Sequence, residues 1–183
     1  MPGTWIAVGL VAALLLVVIL MFNALVRRRN RVDNAWAGID VQLRRRYDLI
    51  PNLVVTVQGY AQHERDLFER ITEARSRAIA AGTVHDQSAA ETEITQNLRQ
   101  LLAVAEAYPQ LRANENFLNL QEELTATESK IAFARQFYND QVMRYNTSTQ
   151  QFPTLIVARV GGFRPREFFE AEEASRGPVG IGT

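Results

Sequence analysis

The hydrophobic pattern begins with an uninterrupted apolar run. No charged side chain occurs before Arg27, and the stretch TWIAVGLVAALLLVVILMFNALV is almost wholly apolar. A helix from Trp5 to Val26 would be roughly 33 Å long, enough to cross a hydrocarbon core of about 30 Å. The pattern predicts a transmembrane helix over residues 5–26, preceded by an external N-terminus of residues 1–4.

A cleaved signal peptide is the alternative interpretation of this run. Signal peptides normally begin with basic residues, have a shorter apolar core and end at a cleavage site of small residues. Here the preceding segment is MPGT, which has no basic side chain, and Arg27, Arg28 and Arg29 follow where cleavage would be expected. These features favour an uncleaved, single-pass anchor.

The basic residues beside the run predict its orientation. Arg27, Arg28, Arg29 and Arg31 flank its C-terminal end, whereas the other side carries only the α-amino group. By the positive-inside rule the N-terminus lies outside and the remainder of the chain is cytoplasmic. The four arginines are also candidate contacts for anionic lipid head groups, although a stop-transfer flank explains them without a ligand.

After the anchor, apolar residues three and four positions apart predict four helices. The first carries Val32, Trp36, Ile39 and Leu43, and nothing between it and the membrane helix breaks a helix. Pro51 predicts a break or a sharp bend, with Asp48 as a cap and a second helix running to Ala81. The joint is short, so the two helices are expected to be antiparallel neighbours.

The third and fourth helices are predicted from caps and apolar stripes. Ser88 and Glu91 have the spacing of a capping box at the start of the third helix. Asn114 is the predicted N-cap of a long fourth helix, which Pro153 ends. The prediction is an all-α protein with a single N-terminal transmembrane helix and an antiparallel up-and-down four-helix bundle over residues 27–150.

The C-terminal part is predicted to be a short non-helical strap over residues 151–170, followed by a disordered tail over residues 171–183. The strap is too short to form a core of its own, so its phenylalanines must be buried against the bundle or a neighbouring subunit. They are the candidate assembly contacts: Phe152, Phe163, Phe168 and Phe169.

The stretch GYAQHERDLF raises the question of catalytic or metal chemistry, because it sets His63 beside Glu64. Adjacent residues on a helix point about 100° apart, so these two side chains cannot both enter one site. Position 67 is leucine, so the sequence is also not H-E-x-x-H, and the metalloprotease interpretation fails. Glu64 instead occupies a position where the apolar stripe calls for leucine.

A similar departure from the apolar pattern occurs on the last helix, where Gln121, Glu128 and Arg135 are spaced seven apart. We predict that these three and Glu64 form a polar layer between helices, which fixes helix register at some expense in stability. Two alternatives remain: a carboxylate-lined cleft that binds a cation or a partner's basic side chain, and simple exposure on a rotated helix.

Composition excludes several classes of function. The chain has no cysteine, which removes disulfides, cysteine-ligated metals and a lipid-modified cysteine, and it has only two histidines. Twenty basic and twenty acidic residues among 183 leave no net charge to favour nucleic acid. Arg44, Arg45 and Arg46 are interpreted as a solvated helix face. With no nucleophile motif, P-loop or histidine pair, no enzyme and no cofactor are predicted.

Long motifs nevertheless connect the chain to a known family. The strings AW-x-x-IDVQL-x-RR, DLIPNL, QLRANENF-x-x-LQ-x-EL and FYN-x-x-V-x-x-YN occur within residues 22–153, which end with QQFP. In these motifs the chain resembles the LemA family of bacterial membrane proteins. The tail departs from the pattern, with Val160-Gly161-Gly162-Phe163 where relatives often have an aromatic residue before the glycine.

The resemblance implies a bacterial inner-membrane protein with an up-and-down helical bundle and no established catalytic activity. Some relatives are encoded beside membrane metallopeptidases, and one from magnetic bacteria takes part in shaping an organelle membrane. The function predicted first is a non-enzymatic scaffold that self-assembles at the cytoplasmic face and organises or shapes the membrane. The alternative is an adaptor or sensor for another membrane protein, such as a metallopeptidase.

Overall fold

The computed structural model describes residues 2–169, in which all regular elements are helices. They are α1 (Pro2–Gln58), α2 (Arg65–Ala80), α3 (Val84–Glu106), α4 (Pro109–Arg112), α5 (Glu115–Gln150) and α6 (Thr154–Val160). The all-helical class with a long apolar N-terminal helix is confirmed. The strap prediction was wrong in being non-helical, because α6 lies inside it. The predicted disordered tail, residues 171–183, lies outside the described residues.

The chain divides into two compact units, to both of which α1 and α5 contribute. The first unit contains residues 2–38 and 136–168, and the second contains residues 39–135 and Phe169. Each unit has its own set of buried side chains.

In the first unit, the N-terminal part of α1 is exposed and apolar. Within the described residues, α1 is the one helix long and apolar enough to cross a membrane, and none of its most apolar window is buried. Burial begins at Leu25 and continues at Val32 and Ala35. These residues share the unit's core with side chains from α5, α6 and the segment after it: Tyr138, Val142, Tyr145, Ala158 and Phe163.

A glycine pair after α6 reverses the chain so that Phe163 is buried. Gly162 has φ +69°, a left-handed conformation that glycine adopts without strain. A Cβ at Gly161 would lie 2.7 Å from Cε2 of Phe163, so a side chain there would displace the ring. The Phe163 amide donates to the carbonyl oxygen of Ala158 at 2.9 Å, which completes the turn.

In the second unit, α1 continues through Asp48 and Pro51, so the helix does not break there and the predicted start of a second helix, capped by Asp48, was wrong. Proline removes the amide that would bond the Tyr47 carbonyl in an unbroken helix. Arg75 of α2 replaces that donor, because its Nε donates to the Tyr47 carbonyl oxygen at 2.7 Å. The helix ends instead at Gln58, just before Gly59, and glycine is about 1 kcal/mol less favourable than alanine inside a helix.

Of the two caps predicted for the third and fourth helices, the structure confirms one. Asn114 is confirmed as a cap, because its Oδ1 accepts from the Phe117 amide at 3.1 Å at the start of α5. The predicted capping box of Ser88 and Glu91 was wrong. Helix α3 begins one turn earlier, where Thr83 Oγ1 accepts from the Asp86 amide at 3.0 Å.

Candidate functional site: a buried charged cluster and a docked C-terminal segment

The second unit buries a complete arginine side chain. Arg46 has 0% exposure and lies on the apolar stripe of α1 formed by Ile39, Leu43, Ile50 and Leu53. The interpretation of this arginine as part of a solvated face was therefore wrong. Its neighbours do face solvent: Arg44 pairs with Asp40 at 2.8 Å, and Arg45 pairs with Glu123 at 2.6 Å.

Two carboxylates neutralise Arg46. Its Nη2 forms an ion pair with Glu91 of α3, which is also completely buried, and its Nη1 donates to Glu128 Oε1 of α5 at 2.7 Å. The same Nη1 lies 3.3 Å from Thr95 Oγ1. An isolated buried charge is strongly unfavourable, so this pairing is what allows Arg46 to occupy the core.

Glu91 is held by two neutral side chains as well. Tyr47 Oη donates a hydrogen bond to Glu91 Oε1, and Gln87 Nε2 donates to the same oxygen at 2.9 Å and to Tyr47 Oη at 2.7 Å. Burial raises the pKa of Tyr47 to about 12, while the positive charge of Arg46 acts in the opposite direction. Tyr47 therefore remains a protonated donor to Glu91 at neutral pH.

Arg135 of α5 completes the buried charged cluster, which we define as Arg46, Glu91, Glu128 and Arg135. Its Nη2 lies 3.8 Å from Glu91 Oε2. Its guanidinium carbon lies 4.6 Å from the ring centroid of Phe169, within the range of a cation–π interaction. Two arginines and two glutamates give the cluster balanced formal charges.

The structure places the four residues predicted to form one polar layer in different environments. Glu128 and Arg135 lie together in the cluster. Glu64 is the N-cap residue of α2, half-buried and without a side-chain cap hydrogen bond. Gln121 is half-buried and lines two cavities, one formed by α3, α4 and α5 and one on the surface of α5. The structure adds Arg46 and Glu91, which sequence reasoning missed.

A signal for these two residues was present in the sequence. Arg46 replaces an apolar residue in the series 39, 43, 46, 50 and 53, and Glu91 does the same in 91, 94, 98 and 101. Both residues also fit competing local patterns, an arginine run for Arg46 and a capping box for Glu91. Within residues 2–169, no group of three or more histidine, aspartate or glutamate side chains could hold a metal ion.

In the first unit, α5 binds the backbone of an extended segment, residues 164–167. Tyr145 Oη donates to the carbonyl oxygen of Arg164 at 3.0 Å, and Tyr138 Oη donates to that of Glu167 at 2.9 Å. Asn146 makes a pair of bonds to Arg166: its Nδ2 donates to the carbonyl oxygen at 2.9 Å, and its Oδ1 accepts from the amide at 2.8 Å. The tyrosines and asparagine of the FYN-x-x-V-x-x-YN motif thus fix the segment.

Raised tyrosine pKa values and one ion pair favour the docking of this segment. Burial raises the pKa of Tyr138 and of Tyr145, against the opposing effect of Arg166, so both phenols remain donors at neutral pH. Arg166 also pairs with Asp33 of α1 at 2.8 Å.

The predicted assembly phenylalanines have different environments. Phe163 is buried, with its ring edge-on to Phe22 at 5.3 Å and the Arg29 guanidinium carbon 5.5 Å from its centroid. Phe169 is buried against Arg135. The chain itself covers these two rings, and the role of the four phenylalanines in assembly stays a prediction. Phe152 and Phe168 are exposed.

The four predicted head-group arginines are all exposed on α1. Arg28 and Arg31 line a cavity of about 320 Å³ together with Arg144 of α5. Arg28 Nη1 donates to Ser148 Oγ at the edge of this cavity. None of the lining residues, all within the described part of the chain, is acidic. The cavity is therefore electropositive.

The helices, the exposed apolar segment of α1 and the absence of a strand in residues 2–169 define an all-helical protein suited to membrane anchoring. The chain belongs to the LemA family, whose profile matches residues 35–181.

Curated relatives agree with this assignment at low identity. The chain is 22% identical to Magnetosome protein MamQ 2 of Paramagnetospirillum magneticum, over 95% of this chain and 74% of the relative. It is 21% identical to Magnetosome protein MamQ of Magnetospirillum gryphiswaldense, with the same coverage. It is 23% identical to Protein LemA of Metamycoplasma hominis, over 84% of this chain and 71% of the relative.

Proposed function

We propose that this protein is a non-enzymatic scaffold, anchored in the inner membrane by α1, that self-assembles at the cytoplasmic face and organises or shapes the membrane. Membership of the LemA family, the likeness to proteins named as magnetosome proteins and the exposed apolar segment of α1 support this proposal. The buried charged cluster supports it in another way, because its arginines and glutamates form ion pairs with one another and balance in formal charge, as expected of a structural cluster.

The observation that carries self-assembly is an exposed face of α5 in the second unit. Phe133 is 73% exposed, and Leu118 is exposed on the same face four turns earlier. Between them lie Thr125, Ala126 and Ser129, which are small and exposed and line a shallow cavity with Leu118. A large ring so exposed, beside a groove of small residues, is typical of a protein contact.

This face is complementary to itself in an antiparallel arrangement. If two α5 helices cross between Thr125 and Ala126, Phe133 of each copy lies opposite Leu118 of the other copy. Such a contact is isologous, as in most homodimers. The small residues at the crossing allow close approach, and the exposed Glu122 lies opposite Ser129 of the second copy rather than opposite a like charge.

The experiment is the mass of the full chain in detergent, measured by light scattering after gel filtration. We expect the native chain to be an oligomer and Phe133→Ser to shift it to smaller species. Ile79→Ser is the matched control, because Ile79 is another exposed apolar residue in the second unit, on α2. A native chain that is monomeric would refute self-assembly, and an equal shift in both variants would refute the α5 contact.

The adaptor function is the alternative outcome of a companion experiment. Crosslinking of the full chain in native membranes is expected to join copies of the chain to each other. Capture of one different membrane protein, with no self-crosslink, would instead favour an adaptor for a partner such as a metallopeptidase.

The arginine flank is proposed to bind anionic lipid head groups, through Arg27, Arg28, Arg29 and Arg31. The electropositive cavity of Arg28, Arg31 and Arg144 supports this, because arginine forms paired hydrogen bonds with phosphate oxygens. We expect Arg28→Gln with Arg31→Gln to reduce the phosphatidylglycerol that remains bound to the purified chain, as measured by native mass spectrometry. Arg44→Gln is the control, since Arg44 is exposed in the second unit. Unchanged lipid retention would leave the arginines as a stop-transfer flank alone.

A further inference from the structure

Helix α6 has a buried apolar face and an exposed side that carries large apolar residues beside Arg159. Its sequence is TLIVARV, in which Ala158 is buried towards the first unit. On the outer side, Ile156 is 57% exposed and Val160 is 87% exposed, and Phe152 just before the helix is 81% exposed. A patch of large apolar side chains so exposed normally marks a contact with another protein or with a membrane. The outer side of α6 therefore needs an apolar environment that the described residues do not provide.

The contact of the turn after α6 with α1 points to that environment. The turn after α6 packs Phe163 on Phe22, and Phe22 belongs to the apolar run that precedes the first arginine. About 20 helical residues cross a hydrocarbon core, so a span that begins at Trp5 ends near Ala24. Phe22 then lies at the inner edge of the hydrocarbon, and Phe163, which packs on it, lies at the same level, three residues after the end of α6.

The charges around α6 match the surface of an anionic membrane. Residues 141–166 contain four arginines and no acidic residue. Arg159 within α6 and Arg164 after it are both exposed, and Arg29 lies over Phe163. Basic residues beside an apolar helix face are typical of segments that lie in the interface between lipid head groups and acyl chains.

We infer that α6 is an interfacial membrane helix, with Phe152, Ile156 and Val160 inserted below the head groups and Arg159 and Arg164 at the phosphate level. This inference rests on the proposed anchoring of α1. It adds a second membrane contact, formed from the C-terminal part of the chain, which holds the first unit against the bilayer. Interfacial helices of this kind insert their apolar face by about 5–10 Å.

The absence of cysteine from the chain makes site-directed spin labelling a direct test. Single cysteines are introduced by Ile156→Cys and Val160→Cys in the full chain, reconstituted in vesicles of phosphatidylethanolamine and phosphatidylglycerol. Both positions are exposed, so neither change disturbs the core. Collision of the label with oxygen, which concentrates in lipid, is compared with collision with a water-soluble nickel complex.

We expect a several-fold higher ratio of oxygen to nickel collisions at positions 156 and 160 than in the aqueous control, Ile79→Cys. Ratios equal to that control would overturn the inference, and so would protection from both reagents, because the latter indicates burial against a second copy or another protein. Leu14→Cys, in the apolar run of α1, separates the two proposals: a lipid-like ratio there with an aqueous ratio at 156 and 160 refutes the interfacial helix but not the anchor.

Discussion

Glu91→Gln is expected to lower the free energy of unfolding by about 3–5 kcal/mol, the usual effect of removing one partner from a buried ion pair. Glutamine preserves the shape of the side chain, so no cavity contributes to the loss. The change leaves Arg46, with 0% exposure, without the carboxylate that faces its Nη2. It also removes the charged acceptor of Tyr47 Oη and Gln87 Nε2. Urea unfolding of the full chain in non-ionic detergent, followed by circular dichroism, measures the effect.

The control for this prediction is the second carboxylate of the cluster. Glu128 also pairs with Arg46, but its side chain is 36% exposed. Solvent screens a pair of this kind, so Glu128→Gln should cost about 1 kcal/mol or less. Equal losses from the two variants would show that burial does not govern the cluster.

A double variant distinguishes an unpaired charge from a loss of packing. Arg46→Met combined with Glu91→Leu replaces the pair with apolar side chains, which in other proteins is often neutral or stabilising. We expect it to recover part of the stability lost in Glu91→Gln, because Tyr47 and Gln87 still lose their acceptor. A double variant less stable than the single one would mean that the ion pair itself supplies the stability, and the interpretation based on desolvation would be wrong.

The sequence predicts the helical class well because the stripes of α3 and α5 are long and their periods are regular. Asn114 was also predictable, since an asparagine before a helical stripe has one strong local role. Pro51 was not. The cost of a proline inside a helix depends on whether another donor reaches the freed carbonyl, and the donor here, Arg75, is 28 residues from Tyr47 in sequence. A prediction made from the residues near the proline cannot include a partner so distant in sequence.

The charged cluster could be predicted only in part for the same physical reason. A polar residue on an apolar stripe marks a candidate, which identified Glu128 and Arg135. Which candidates meet depends on the packing of α1, α3 and α5, and sequence spacing within one helix does not determine it. Arg46 and Glu91 also fitted common local patterns on exposed helix surfaces and at helix starts, and tertiary pairing overrode both.

The second large effect is expected from Asn146→Ala, which should release the extended segment from α5. Asn146 bonds both the amide and the carbonyl of Arg166, at 2.8 and 2.9 Å. A hydrogen bond contributes about 0.5–1.5 kcal/mol net, so losing both should destabilise the docked segment by about 1–3 kcal/mol. Since 1.4 kcal/mol corresponds to a factor of ten, local opening of residues 163–169 should rise roughly 5- to 150-fold.

Hydrogen exchange of the full chain in detergent measures this opening directly, because the Arg166 amide is one of the two groups that lose a partner. Gln136→Ala is the control, being an exposed residue on the same helix. Tyr145→Phe removes only the bond to the Arg164 carbonyl and should give a smaller increase. The order Asn146→Ala, then Tyr145→Phe, then Gln136→Ala follows from the number of bonds lost. Equal protection in all three would mean that Phe163, packed on Phe22, holds the segment without help from the motif.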